Sequence, residues 1–114
     1  MLTPIEIALK HLRVDADDDE ADLIGLYLAA AEDAALSFMN RQVFADADAM
    51  TAATQAGSGG EYPIVVTAAM QAAILLILGQ LYENRENAVI GVTAMELPNG
   101  AFALLQPYRM NLGV

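Results

Sequence analysis

Apolar residues recur at helical spacing near the start of the chain. They occupy the i, i+3, i+4 and i+7 positions that share one face of a helix: Ile5, Ala8, Leu9 and Leu12. Pro4 suits the first position of a helix, and Glu6 stands three residues after Thr3, as a capping box requires. These signals predict a first helix over about residues 4–13.

A second, longer helix is predicted over about residues 18–40. Its apolar residues form a main stripe and an adjacent one, which are Leu23, Tyr27, Ala30, Ala34 and Phe38, and Ile24, Leu28, Ala31 and Ala35. Leu26 and Leu36 fall outside the main stripe and suggest a lesser contact surface. Asn40 and Arg41 mark the end of the helix.

The acidic run before this helix invites comparison with a calcium loop. Asp15, Asp17 and Asp19 alternate as EF-hand ligands do, but that pattern also needs glycine at its sixth place and glutamate at its twelfth. Here those places hold Glu20 and Leu26. We therefore interpret Asp17 as the cap of the second helix, with Glu20 reaching back to it.

The apolar pattern stops over residues 44–62. This segment consists largely of Ala, Asp, Thr and Gln and ends in a Gly-Ser-Gly-Gly run at 57–60. Such a composition predicts a long flexible loop, with a short helical piece near residues 47–53. The loop exceeds the usual length of a connection, which favours a functional or partner-ordered segment.

A third helix is predicted over about residues 65–84. No charged residue lies between Pro63 and Tyr82, and the helix is apolar on nearly every side, so it is either buried on most sides or in lipid. Its length suffices for a membrane span. However, its flanks are acidic, and Gln71 and Gln80 would need partners in hydrocarbon. We therefore favour a core helix over a span.

The end of the chain adds a short helix at about residues 101–106. A turn at Pro98, Asn99 and Gly100 precedes it, and Pro107 ends it. At 114 residues, the chain predicts one all-α domain over residues 1–114, with three main helices and this short C-terminal one.

Composition narrows the possible functions. The chain has 15 acidic and 5 basic residues, and its formal net charge is −10. Because sequence-independent binding of nucleic acid depends on Lys and Arg neutralising phosphates, five scattered cations provide no such surface. The acidity equally disfavours anionic membrane surfaces. The chain has no Cys, so it offers neither disulfides nor thiolate metal sites.

No arrangement typical of a catalytic site is present in the sequence. His11 is the single His, and neither Ser37 nor Ser58 has a His or Lys at an activating spacing. The run at 57–60 lacks the Lys of a phosphate loop. We therefore expect no enzymatic activity, no catalytic or metal-binding residue and no cofactor.

Two polar clusters are candidates for protein–protein contacts. The first contains Tyr82, Glu83, Arg85 and Glu86, and the second contains Tyr108 and Arg109. Each has a simpler interpretation, a solvated helix end with local ion pairs for the first and a docked tail for the second. Arginine is nevertheless enriched at interfaces and forms bidentate pairs with carboxylates, so both clusters are candidate subunit or partner interfaces.

The order of these elements resembles the small head–tail connector, or adaptor, proteins of tailed bacteriophages and prophages. The resemblance rests on several segments along the chain. These are residues 9–15 and the acidic run that follows them, 23–35, Arg41, 81–86, 97–98 and 104–109. Its most specific features are Tyr-Glu-Asn-Arg-Glu at 82–86 and Pro-Tyr-Arg at 107–109. It covers nearly the whole chain, with the Gly/Ser loop as the variable part.

The resemblance implies a non-enzymatic structural subunit that forms a homo-oligomeric ring of about a dozen copies on the portal. The ring would extend the channel through which DNA passes without specific binding, and seat the next head-completion or tail protein. Its expected place is the head–tail junction of the virion, after assembly in the bacterial host cytoplasm. No membrane is implied. The alternatives are a small membrane-associated protein with a span at 63–82 and an acidic helical adaptor of a host complex.

Overall fold

Helices dominate the computed structural model, which describes residues 2–15, 21–60, 63–83 and 99–110. In chain order the elements are α1 (Ile5–Leu12), α2 (Ala21–Met39), β1 (Val43–Phe44), α3 (Ala47–Gln55), β2 (Ile64–Val65), α4 (Ala68–Glu83), α5 (Asn99–Leu105) and a 3-10 turn (Gln106–Tyr108). The predicted all-α fold is confirmed. The acidic residues 16–20, including the expected cap Asp17, lie outside the described residues.

The core lies where α2 and α4 meet, with α1 and α5 packed against them. Its buried apolar side chains are Ala8, Leu9, Ile24, Leu28, Ala31, Ala35, Met39, Val43, Met70, Ala73, Ile74, Ile77, Leu78, Ala101 and Leu105. Several are alanines, which allow the helices to approach closely. The larger ones each contribute about 1.5–3 kcal/mol through burial. The apolar helix of the sequence is thus the central core helix, as expected.

Both apolar stripes predicted on α2 are present, and the adjacent stripe is the more deeply buried of the two, while Tyr27, Ala34 and Phe38 of the main stripe are half-buried against the core. The adjacent stripe is buried through Ile24, Leu28, Ala31 and Ala35, and Met39 continues it. Leu23, on the main stripe, is 36% exposed. Both stripes are apolar, so helical periodicity alone does not distinguish them, and contact with α4 decides which one is buried more deeply.

The predicted capping box at the start of α1 is wrong. Pro4, in extended conformation, precedes the helix, and no side chain caps it. Thr3 is instead fully buried, and its backbone N–H donates to Glu32 Oε2 at 2.8 Å. The preceding carbonyl, that of Leu2, accepts a 3.0 Å hydrogen bond from Gln71 Nε2. Glu32 on α2 therefore accepts the N–H of Thr3, which Glu6 would accept in a capping box, and Gln71 on α4 anchors the preceding carbonyl.

The end of α1 matches its prediction. Arg13 adopts a left-handed conformation, with φ 60°, and its N–H donates to the carbonyl of Lys10. The N–H of Val14 reaches the carbonyl of Leu9 at 2.9 Å. This pair of bonds is a Schellman motif, which satisfies carbonyls that a helix end would leave without partners.

The segment predicted as a loop contains regular structure. The short helical piece expected near residues 47–53 is present as α3, and Asp46 caps it by accepting a 2.7 Å hydrogen bond from the N–H of Ala49. The strands β1 and β2 flank it and pair in parallel, with Val43 opposite Ile64. This pairing brings the C-terminal end of α2 close to the N-terminal end of α4.

The strand pairing also corrects the start of the apolar helix. Residues 64 and 65 belong to β2, so α4 begins at Ala68 and not at residue 65. Thr67 provides the cap, because its Oγ1 accepts a 3.1 Å hydrogen bond from the N–H of Met70. Within the described ranges, no helix combines the length and apolarity needed to cross a membrane.

Candidate interaction surface at the C-terminal tail

The last described residues lie across the C-terminal end of α2. The N–H of Met110 donates to the carbonyl of Met39 at 2.9 Å, and Asn40 Nδ2 donates to the carbonyl of Met110 at 3.2 Å. Arg41 Nη1 donates to the carbonyl of Tyr108 at 3.3 Å. Because the last turn of a helix leaves carbonyls without intrahelical partners, a docked segment is an effective way to satisfy one of them.

The local backbone prepares this docking site. Asn40 has φ 56°, the left-handed conformation that commonly ends a helix, and its N–H still donates to the carbonyl of Leu36. The left-handed turn redirects the chain into β1 while the Asn40 side chain reaches the tail. On the other side, the 3-10 turn around Pro107 leads the chain from α5 back to α2.

An aromatic pair and an arginine form the outer part of this region. The rings of Phe38 and Phe102 lie 4.3 Å apart at an interplanar angle of 66°, an edge-to-face arrangement. The guanidinium carbon of Arg109 lies 4.8 Å from the centre of the Phe38 ring. We call Phe38, Phe102, Tyr108 and Arg109 the tail surface.

The tail surface remains accessible to solvent although its members contact one another. Phe102 is 43% exposed, Arg109 is exposed, and Phe38 and Tyr108 are half-buried. An exposed cation–π pair contributes about 0.5–1 kcal/mol, which holds the arginine in place without burying it. Aromatic residues and arginine are the types enriched at protein interfaces. Chemically, this surface is suited to binding another protein.

The structure brings the predicted Tyr108 and Arg109 together with residues that the sequence interpretation missed. In the sequence, Phe38 belongs to the main apolar stripe of α2, Arg41 marks a helix end and contributes to the family resemblance, and Phe102 has no predicted role. No spacing in the chain connects these three, because their proximity depends on the docking of the tail. The sequence signal that came closest to indicating this surface was Arg41, because it lies next to the predicted end of the second helix.

Of the first predicted cluster, the structure describes Tyr82 and Glu83. Tyr82 and Glu83 occupy the last turn of α4, where Tyr82 is half-buried and Glu83 is exposed. Arg85 and Glu86 lie outside the described residues. The structure therefore places two of the four residues at a helix end.

The described residues contain no group of three or more side chains that could hold a metal ion. His11 is exposed on α1, and a Cβ placed on Gly79 would lie 3.6 Å from its Nε2, so α1 runs close to α4 there.

Comparison with known proteins addresses the family. A family model described as phage gp6-like head-tail connector protein matches residues 5–109 of the 114. No curated protein and no solved structure matches the chain. The matched segment begins with α1, includes the helical core and ends within the tail surface. The chain therefore belongs to the phage gp6-like head-tail connector family.

Proposed function

We propose that the protein is a structural, non-enzymatic subunit of a connector ring that docks on the phage portal. In this role the whole chain acts as one connector domain. The ring extends the DNA channel and seats the next head-completion or tail protein at the head–tail junction of the virion. Assembly takes place in the bacterial host cytoplasm.

The observation that carries this proposal is the tail surface. A docked tail presents Arg109 and Phe102 to solvent at the end of the core helix pair, held by contacts with Phe38, Asn40 and Arg41. Such a preformed aromatic and cationic surface needs little ordering when a partner binds, which favours affinity. We propose that Tyr108 and Arg109 contact a neighbouring subunit or the portal.

The end of α4 supplies a second proposed contact. Glu83 is exposed there, and Arg85 and Glu86 follow within three positions in the chain. A closed ring needs two different surfaces of one subunit to meet. We propose that Tyr82, Glu83, Arg85 and Glu86 form a subunit or partner interface distinct from the tail surface.

The charge of the chain supports passage of DNA without specific binding. Lys and Arg side chains would hold phosphates, whereas a net charge of −10 repels them. A channel wall with this excess of acidic residues would let the DNA duplex slide through the channel.

Reconstitution with the portal tests the proposal. Purified protein is added to portal rings of the same phage, and complexes are followed by mass photometry and negative-stain electron microscopy. We expect a ring of many copies stacked on the portal. Protein that stays monomeric at high concentration and does not bind portal rings would overturn the proposal.

A further inference from the structure

Three exposed apolar surfaces stand beside charged residues in the described part of the chain. They lie on α1 around Ile7, on α2 around Leu26, and at the tail surface around Phe102, and these side chains are 45%, 65% and 43% exposed. Single exposed apolar residues are common on proteins, so they alone indicate nothing. The charges around each of them decide which partner it suits.

The surface of α1 around Ile7 carries charges of both signs. Exposed Glu6 lies one turn before Lys10, and exposed Asp15 follows Arg13 closely in the chain. Opposite charges at such short spacing offset one another in the field that a partner meets. This surface therefore favours neither an acidic nor a basic partner.

The outer face of α2 is acidic. It consists of residues that are all exposed and lie within about 100° of one another around the helix, which are Asp22, Leu23, Leu26, Ala30 and Asp33. The helix contains no Lys or Arg, and the acidic run that starts at residue 15 leads into it. This face therefore combines exposed leucines with carboxylates and has no cation on the same helix.

The tail surface carries the opposite charge. Residues 34–45 and 99–110 supply it, and they contain no Asp or Glu although the chain has 15 acidic residues. Their cations are Arg41, which donates to the backbone of the tail, and Arg109, which is exposed. Arg109 is therefore the cation that a partner meets here.

The acidic residues nearest to these two segments along the chain are directed elsewhere. Asp33 lies about 140° around α2 from Phe38, on the outer face. Asp46 follows β1 and caps α3, where its Oδ1 accepts the N–H of Ala49. The tail surface therefore favours an acidic partner that also offers an apolar side chain, which is the combination on the outer face of α2.

The two surfaces also agree in spacing. The ring of Phe102 lies 4.3 Å from that of Phe38, and the guanidinium carbon of Arg109 lies 4.8 Å from the same ring. The apolar ring and the cation are therefore separated by no more than these two distances together, about 9 Å. On α2, Asp22 lies one turn before Leu26, about 6 Å along the axis. With Leu26 packed on Phe102, the carboxylate one turn earlier comes within reach of the arginine.

This contact cannot form within one chain. Phe102 packs on Phe38, which lies about 18 Å from Leu26 along the axis of α2. Both residues belong to the same helix, which keeps that separation fixed. The matching α2 face must therefore come from another copy.

We infer that the tail surface docks on the outer face of α2 in a second copy of this chain. This inference rests on the proposed function, and it assigns the contact of Arg109 to a neighbouring subunit and not to the portal. Because the two surfaces differ, the contact is heterologous and repeats from subunit to subunit, as a ring requires. Copies with a net charge of −10 repel one another, and a local pairing of cation and carboxylate offsets part of that repulsion.

Charge exchange tests the pairing. One variant carries Arg109→Glu, a second carries Asp22→Arg, and a third carries both changes. We expect each single change to weaken ring assembly about tenfold or more, and the double variant to recover most of the loss. Asp48→Arg, on the exposed surface of α3, is the matched control and should leave assembly unchanged. Thermal unfolding of each variant verifies that the subunit still folds.

The variant Asp22→Arg separates local pairing from overall repulsion. It makes the chain less negative than −10, so repulsion alone predicts stronger assembly, whereas pairing with the tail surface predicts weaker assembly. Stronger or unchanged assembly of that variant would overturn the inference. A loss in Arg109→Glu that the second change does not restore would also overturn it, because the arginine would then meet the portal.

Cross-linking tests the same contact without altering any charge. The chain has no Cys, so Leu26→Cys and Gln106→Cys, four residues after Phe102, can be introduced singly at exposed positions and the two proteins mixed with a short bismaleimide. We expect cross-linked dimers well above the yield of Ile7→Cys mixed with Gln106→Cys, since Ile7 lies on the surface of mixed charge. Equal yields would overturn the inference while leaving the proposed function intact if wild-type rings form on the portal. Failure of the wild type to assemble or to bind the portal would overturn both.

Discussion

The backbone N–H of Thr3 donates a 2.8 Å hydrogen bond to the Oε2 of Glu32, and both residues are buried. The two are 29 positions apart in the chain. A buried carboxylate that accepts a backbone N–H in this way joins the N-terminal segment to the middle of α2. With Gln71 holding the carbonyl of Leu2, it fixes the direction in which α1 begins.

Removing this acceptor should destabilise the subunit. Glu32→Ala leaves the N–H of Thr3 buried without a partner, and we expect the free energy of unfolding to fall by about 2–3 kcal/mol. Glu32→Gln keeps an acceptor oxygen and should cost less than half of that. Chemical denaturation measures both, with the exposed Asp33→Ala as a control expected within about 0.5 kcal/mol of wild type. Equal losses in Glu32→Ala and the control would contradict this role.

Removing the hydroxyl of Thr3 should have the opposite effect and stabilise the subunit. Its Oγ1 is buried and has no hydrogen-bond partner among the described residues. Thr3→Val keeps the shape of the side chain and removes the unsatisfied group, so we expect a gain of about 1 kcal/mol in stability. The gain would appear as a higher denaturation midpoint. A loss of stability would mean that the hydroxyl has a partner.

The core helix should respond to truncation according to burial. Leu78 is fully buried, and Leu78→Ala should lower the free energy of unfolding by about 2–5 kcal/mol. Leu76 lies on the same helix and is 40% exposed, so Leu76→Ala should cost much less. Comparable costs at the two positions would show that the face of α4 opposite the core is also buried in the free subunit.

Asn40 connects the end of α2 to the tail in two ways, through its left-handed backbone and its side chain. Asn40→Gly keeps the backbone conformation but loses the bond to Met110, whereas Asn40→Ala loses both. We expect the Ala variant to be about 1 kcal/mol less stable than the Gly variant. Hydrogen exchange at the amide of Met110 should be faster in both variants. Unchanged exchange would indicate that the tail does not need this bond.

The two proposed interfaces are tested by charge reversal. Arg85→Glu and Arg109→Glu should each weaken assembly or portal binding by about tenfold or more, because each places a carboxylate where a cation is proposed to meet a partner. For Arg109, the stability of the isolated subunit should change by only about 1 kcal/mol, the value of an exposed cation–π contact. Arg13→Gln, a milder change at another exposed arginine, serves as the comparison for the stability of the isolated subunit. Unchanged assembly of either Glu variant would refute that interface.

Several helix limits were predictable because their determinants are local. The end of α1 near Arg13 and the end of α2 at Asn40 follow from short-range signals of composition and spacing. The short helix α3 was also anticipated, and its cap at Asp46 involves a partner three residues away. Such contacts depend on neighbours in the chain, so the sequence carries them.

The start of α4 was not predictable in the same way. Ile64 and Val65 continue the apolar run, and only their pairing with Val43 and Phe44 removes them from the helix. The tail surface was not predictable from the sequence for the same reason, because Phe38 lies far from Phe102 and Arg109 in the chain. Periodicity measures spacing along one segment and contains no information about which segments meet.

By itself, the sequence determined the helical class, the limits set by local caps, the acidic charge, and the identity of the central helix. The resemblance to connector proteins was also readable there, and the family match confirmed it. Tertiary structure decided which stripe of α2 is buried more deeply, how Glu32 holds Thr3, and how the tail docks on α2. The physical reason is that hydrophobic burial is non-directional, so two apolar stripes are equivalent until another helix covers one of them.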